Sequence, residues 1–316
     1  MSTAHPIQYL THTAIDKRRW DACIATAANG LIYGHSFYLD TMAANWHALV
    51  LNDYEAVMPL PWRKKAGFNY LFQPSMTPIL GIFGNDITAG LVQLFLNAIP
   101  STFKLWDISL NHFNPLPPSL PYPVFKRGNF ILSLQHPYEH IQAQYHANIK
   151  RNMGKAVKKG CIVKKDIPID EVIRICQKQF PAFTRVEAGL FEKLKVIYCH
   201  YIRQAKTYSV TDAEGRTLCA CAFLFSGNRA WYWLVGNEPE GRDYGASSLL
   251  LDAFIREQAN RPLVLDFEGS DDQGVAGFYK KFGAVPEMFT TIYYNRLPFP
   301  VNLFKRVPPH YRNLAS

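Results

Sequence analysis

The chain has 316 residues, 48% of them hydrophobic and 14% aromatic, with a formal net charge of +9; such content fills a sizeable core in two domains of ordinary size and excludes a disordered chain. No apolar run approaches the roughly twenty residues needed to cross a bilayer, and the first residues lack the charged-then-apolar layout of a signal peptide, so a cytoplasmic protein without a transmembrane segment is expected. The six cysteines show no metal-ligand spacing, the ten histidines are scattered and no G-x-S-x-G elbow occurs, which argues against metal binding and against serine or cysteine nucleophiles.

In chain order, the patterns predict helices at 14–28 and 36–46, then strands at 48–52, 56–62 and 69–72. The glycine- and proline-punctuated stretch 73–84 is apolar and reads as a surface held in one shape, lining a cleft. A helix at 87–99, with Leu91, Phe95 and Ile99 at four-residue spacing, and a strand at 103–109 follow. Five prolines between Asn114 and Pro123 make a rigid loop before a strand at 129–134.

The next stretch predicts one long helix over 138–159, with Ile141, Tyr145, Ile149, Met153 and Val157 in a row and Gly160 as its cap. Seven Lys or Arg and no acid lie between Ile141 and Lys165, and after Glu287 there are four more basic residues and again no acid. Such local charge attracts phosphates, nucleic acid or acidic lipid headgroups, or else is a solvated helix face. Helices at 170–181 and 187–205 precede strands at 207–211, 218–226 and 229–235. Cys219 and Cys221 share one face of a strand and read as packing rather than redox chemistry.

The stretch 241–284 is a glycine turn, an apolar-faced helix carrying Leu249, Leu250, Leu251, Phe254 and Ile255, a buried strand at 263–267, and a short aromatic helix. The N–H groups at the start of the first helix, together with its dipole, form a ready site for phosphate. Asp266 and Glu268 alternate out of the strand opposite Leu265 and Phe267, so both are expected to look into one cleft as candidate bases. Their alternative roles are a structural acceptor for Asp266 and a loop cap for Glu268. A strand at 288–294 and a proline-rich basic tail close the chain.

Arg242-x-x-Gly245-x-Ser247, then a helix, a strand and Phe278-Tyr279-Lys280-Lys281-Phe282-Gly283, resembles the acyl-CoA site of the GNAT N-acyltransferase superfamily. The family loop ends in Gly or Ala where this chain has Ser247. The resemblance implies that Arg242, Tyr244, Gly245, Ala246, Ser247 and Ser248 cradle the pyrophosphate of an acyl-CoA co-substrate, acetyl-CoA included. It also implies that Tyr279 protonates the leaving thiolate; a phenol with an ordinary pKa of about 10 is protonated at neutral pH. Packing of a short helix by Phe278, Tyr279 and Phe282 is the alternative reading of that block.

The basic segment Arg151-x-x-x-Lys155-Ala156, ending in Gly160, resembles the FemABX-like branch of the same superfamily. That resemblance implies a mixed α/β fold of two tandem GNAT-like lobes, the first a degenerate copy over 1–137 and the second over 138–316, with the tail 295–316 returning to the first lobe. Three readings result. One is an acyl-CoA-dependent N-acyltransferase; a second is an aminoacyl-tRNA-dependent transferase acting on a cell-wall precursor, with Arg151, Lys155 and Lys280 as polyanion contacts. In the FemABX-like F-K-x-x-F-G block, Lys stands where this chain has Tyr279, and Lys280 follows it. The third is a non-catalytic protein that binds a sugar phosphate or a partner.

Overall fold

The computed structural model describes residues 7–183, 189–268, 272–308 and 311. Its strands are β1 Ile7–Leu10, β2 Trp46–Leu51, β3 Ala56–Lys65, β4 Phe68–Leu71, β5 Phe83–Gly84, β6 Phe103–Leu110, β7 Val124–Ser133, β8 Ile162–Lys165, β9 Ala205–Thr211, β10 Thr217–Ser226, β11 Arg229–Asn237, β12 Val264–Asp266 and β13 Val285–Asn295. Its helices are α1 Lys17–Thr26, α2 Ser36–Met42, α3 Ala89–Asn97, α4 Tyr138–Ala143, α5 Ala147–Lys158, α6 Ile169–Phe183, α7 Leu190–His200, α8 Pro239–Tyr244, α9 Ala246–Gln258, α10 Gln273–Lys280 and α11 Val301–Phe304. The chain divides into two compact units, one of residues 1–128 with 288–316 and one of residues 129–287. It is a mixed α/β protein of the tandem GNAT-like kind.

In the first unit the strand order is β1-β2-β3-β4-β6-β13, with β5 on β3. Asp16 caps α1 by accepting from Arg19 N–H (3.1 Å), and Thr88 caps α3 by accepting from Leu91 N–H (3.2 Å), which satisfies two helix-end donors. The buried row Val92, Phe95 and Leu96 of α3 packs against Leu49, Met58, Leu60 and Trp106. The stretch 73–84 is not a surface from Ile79 onward. Ile79, Leu80, Ile82 and Phe83 are fully buried, because three buried asparagines take up its backbone groups. Asn29 Nδ2, Asn111 Nδ2 and Asn114 Nδ2 donate to Ile82 O (2.8 Å), Leu80 O (2.9 Å) and Ile82 O (2.9 Å), and Asn114 Oδ1 accepts from Ile82 N–H (2.8 Å).

The second unit has the order β7-β12-β11-β10-β9-β8, in which β11 and β12 are parallel and their neighbouring pairs antiparallel. Its core is the α9 face Leu250, Leu251, Phe254 and Ile255 against Tyr208, Phe223 and Leu265, with the Phe223 and Phe254 rings stacked 3.6 Å apart. The single helix expected over 138–159 is two. At the break between α4 and α5, His146 N–H donates to Lys281 O (2.9 Å), and His146 Nδ1 caps α5 by accepting from Asn148 N–H (3.2 Å). The inward row crosses the break and ends only at the last turn of α5: Ile141, Tyr145 and Ile149 are buried and Met153 packs against the core, whereas Val157 is 62% exposed.

Candidate active site

The site begins with a fork among the strands of the second unit. Parallel pairing of β11 with β12 runs only through Arg229–Val264, Ala230–Leu265 and Trp231–Asp266. Phe267 N–H then donates to Phe130 O (3.0 Å), so the chain after β12 stays with β7 while β11 continues to Asn237 alongside β10. A bulge opposite Ala222 and Phe223 leaves Trp233 as the extra residue of β11 and bends the strand where its parallel partner leaves.

The mouth of the fork lies at the N-terminal end of α9. α8 opens with Pro239 at its first turn and ends at Gly245, whose left-handed φ of 78° turns the chain directly into α9. α9 has no side-chain cap there. Around this mouth is a cavity of about 670 Å³, lined from β11 by Tyr232, Val235 and Asn237, from the α8–α9 turn by Arg242, Gly245, Ser247 and Ser248, and from α10 by Phe278 and Tyr279. Open strand backbone beside an uncapped helix start suits an extended ligand that carries an anionic group.

No family model matches the chain, and no curated protein is similar enough in sequence to match. Among solved structures it is similar to FemX, at 12% identity over 94% of this chain and 99% of that one, with a TM-score of 0.62. It is also similar to L-PGS from Bacillus licheniformis, at 14% identity over 92% and 94% of the two chains (TM-score 0.55). A third is the C-terminal domain of a putative lysylphosphatidylglycerol synthetase from Agrobacterium fabrum, at 12% identity with the same coverage and TM-score. The fold is GNAT-like, of the FemABX type.

Within this FemABX-type fold, Arg242, Gly245, Ser247, Ser248 and Tyr279 all line the one cavity. Tyr244 and Ala246 do not: Tyr244 lies under Lys159 Nζ, 5.4 Å from its ring centre, and Ala246 is fully buried. Gly245 has a second reason to be glycine. A Cβ there would fall 2.7 Å from the carbonyl oxygen of Asn152 on α5, so the bare backbone admits a neighbouring helix as well as making the turn. The hydroxyl of Ser247 donates to Asn237 Oδ1 and is directed along the cavity wall.

Asp266 and Glu268 part company. Asp266 is wholly buried: Asn129 Nδ2 donates to its Oδ1 (3.0 Å), Arg229 Nη1 to its Oδ2 (2.6 Å), and Glu268 N–H to Oδ1 (2.9 Å). Arg229 also pairs with Glu287 (2.7 Å). Burial pushes the Asp266 carboxyl up to about 6, against the pull of Arg229 and the other donors. Glu268 is half-buried in a left-handed conformation, φ 59°, fixed by the bond of its N–H to Asp266. Tyr279 is 9% exposed and stacks on Phe267 at 4.3 Å. Burial first, and the charge of Glu268 second, raise its pKa above the ordinary phenol value, so it is protonated at neutral pH and is a weak acid.

The basic candidates stand apart from the cavity lining. Lys280 Nζ lies over Phe130, 5.4 Å from the ring centre, Arg151 donates to Asn148 Oδ1 (3.0 Å), and Lys155 is exposed with Lys150, Lys158 and Lys159 on α5. Among the lining residues that escaped the sequence reading are Asn152 from α5, Gln179 from α6, Asn237, and Asp272, which caps α10 by accepting from Val275 N–H (2.9 Å). Only Asp272 had a local signal, an Asp just ahead of an apolar helical run.

Proposed function

We propose that the chain moves an acyl group from an activated donor in the fork to an amine, with acyl-CoA as the donor. The observation that carries this reading is the side of β11 at 232–236, which has no strand partner among the described residues and opens onto the uncapped start of α9. The pantetheine arm pairs along β11 as an extra strand, and the pyrophosphate meets the first turn of α9 and Arg242. The acceptor amine, held neutral by proton loss to Glu268, attacks the thioester carbonyl. The C–N bond forms, the C–S bond breaks, Tyr279 hydrogen-bonds the departing sulfur and supplies its proton, and the proton shed by the new amide nitrogen passes through solvent to restore the phenol.

Two observations favour a second reading, an aminoacyl ester on tRNA as donor. The exposed cations of α5 flank Asn152 at the cavity edge and suit a polyanion. A phenol with a raised pKa is also better matched to a leaving ribose alkoxide than to a thiolate of ordinary pKa about 8.5. The resemblance to FemABX-like proteins points the same way, and under it the acceptor is a cell-wall precursor.

The test is a thermal-shift titration of the full chain with acetyl-CoA, longer acyl-CoAs and tRNA, repeated on Ser247→Asp. An Asp in the first turn of α9 suits the helix dipole yet repels an anion, whereas a side chain at Gly245 would displace α5 whether or not a ligand binds there. A ligand at a hundred times its Kd stabilises by about 2.7 kcal/mol. A rise with acyl-CoA that Ser247→Asp abolishes supports the thioester donor; a rise with tRNA alone moves the reading to the ester; no rise with either removes the donor site. Tyr279→Phe should then keep donor affinity and lower turnover about a hundredfold.

A further inference from the structure

We propose that residues 296–307 form a docking surface for a bilayer carrying anionic phospholipid, independently of which donor the fork holds. After β13 this segment is tied down by its backbone. Tyr293 OH donates to the carbonyls of Lys305 (3.2 Å) and Arg306 (3.1 Å), and Asn295 Nδ2 donates to those of Lys305 (2.6 Å) and Asn302 (3.3 Å). Leu297, Val301 and Val307 anchor it on the apolar cluster of Leu105, Phe125, Tyr293 and Tyr311. With those anchors in place, the remaining apolar residues face water: Phe299 is 79% exposed, Leu303 50% and Phe304 83%.

Large apolar side chains held out on a fixed loop mark a contact site. Charge names the partner. Arg296, Lys305 and Arg306 flank the two rings, no acid follows Glu287 in the sequence, and Lys305 and Arg306 have no ion-pair partner among the described residues. A second copy would bring the same cations and repel, and one short loop is too small for a stable protein interface of about 1,000 Å² or more. An anionic membrane meets both halves of the pattern: rings and Leu303 enter the headgroup–acyl boundary while the cations meet phosphate. Lys305 and Arg306 also edge an open recess of about 650 Å³ with Tyr293, Tyr294 and Asn302. The buried Oδ1 of Asn302 has no donor among the described residues, and the ammonium or hydroxyl of a lipid headgroup supplies one.

The experiment is co-sedimentation of the full chain with vesicles of phosphatidylcholine alone and of phosphatidylcholine with phosphatidylserine. Binding to the mixed vesicles only, weakened by salt, is expected. Phe299→Ser with Phe304→Ser should lower the partition by about tenfold or more. Lys305→Glu with Arg306→Glu should lower it by at least about thirtyfold, at about fivefold per cation. These side chains are exposed and the segment is held by its carbonyls, so unchanged thermal midpoints verify the fold of both variants. Equal partition on the two vesicle types, or a double-Phe variant that binds as the parent does, overturns the proposal. So does a concentration-dependent dimer that the double-Phe variant disperses, which would assign the loop to self-association.

Discussion

Both units carry a strand, a helical crossover and a parallel strand, but they finish the motif differently. In the first, β4 and β6 pair in parallel at Asn69–Phe103, Tyr70–Leu105 and Leu71–Trp106, with α3 in the crossover; in the second, β11 and β12 pair over three residues with α8 and α9 between. Past those residues each strand pair parts. The first unit fills its gap with its own chain: Leu80 N–H donates to Ser109 O (3.0 Å), Asn111 N–H donates to Leu80 O (3.1 Å), and Gln73 Oε1 accepts from Ser109 N–H (3.1 Å). Its crossover helix is capped by Thr88. In the second unit, among the described residues, β11 past Trp231 has no strand partner on that side, where Gln179 Nε2 alone donates to Asn237 O (2.5 Å), and α9 has no side-chain cap. In the first unit the strand groups of Leu80, Ser109 and Asn111 and the Leu91 N–H are thus hydrogen-bonded from within the chain.

Polar partners differ as well: a buried ion pair of Arg229 with Asp266 stands at the root of the second fork, whereas in the filled gap of the first Ser109 Oγ pairs with Thr291 Oγ1 (2.9 Å). The largest expected effect lies at the charged root. Arg229→Met leaves Asp266 and Glu287 without their cation and should cost about 3–5 kcal/mol by urea denaturation, since stranding a buried charge is severe. A loss below about 1 kcal/mol would mean that the network is no strut. Its pH signature follows from Asp266, whose carboxyl is raised from 3.8 to about 6 on folding. A raised acid is favoured protonated, so its contribution to stability is full below about pH 3.8 and falls away as pH rises to about 6, then levels. Asp266→Asn should remove that slope; a slope unchanged in the variant would assign it to another group.

Next in size is the plug. Asn114→Ala orphans the buried Ile82 N–H and should destabilise by about 2 kcal/mol, with donor affinity unaltered. If affinity falls with stability, the filled and open forks are not separate devices.

The comparison also marks what the sequence could reveal. The buried α9 face, the strand following it and the aromatic helix carrying Tyr279 were legible, because a helical stripe and a short apolar run are local patterns. The plug was not: its glycines and prolines have the chemistry of a surface loop, and its partners Asn29, Asn111 and Asn114 come from distant stretches. Nor was the pressure of α5 on Gly245, since Asn152 lies far upstream and leaves no trace near the turn. Asp266 looked cleft-directed by alternation alone, and its partner Arg229 stands on another strand. The break before α5 was hidden because the apolar row continues in register across Gln144 and His146, with no Gly or Pro between.

The smallest expected effect is also the most discriminating. Thr88 and Asp272 each cap one helix, and replacing either by Ala should cost about 1 kcal/mol. Only Asp272 lines the open cavity, where its carboxylate opposes an anionic donor. Asp272→Ala should therefore lose stability yet bind the donor about twofold to fivefold more tightly, with the gain shrinking as salt rises. Thr88→Ala should lose the same stability and leave donor affinity where it was. Isothermal titration of both variants, beside their melting midpoints, separates the two effects. Tighter binding by Thr88→Ala, or equal affinities for the two, would mean that the donor does not meet the open fork of the second unit.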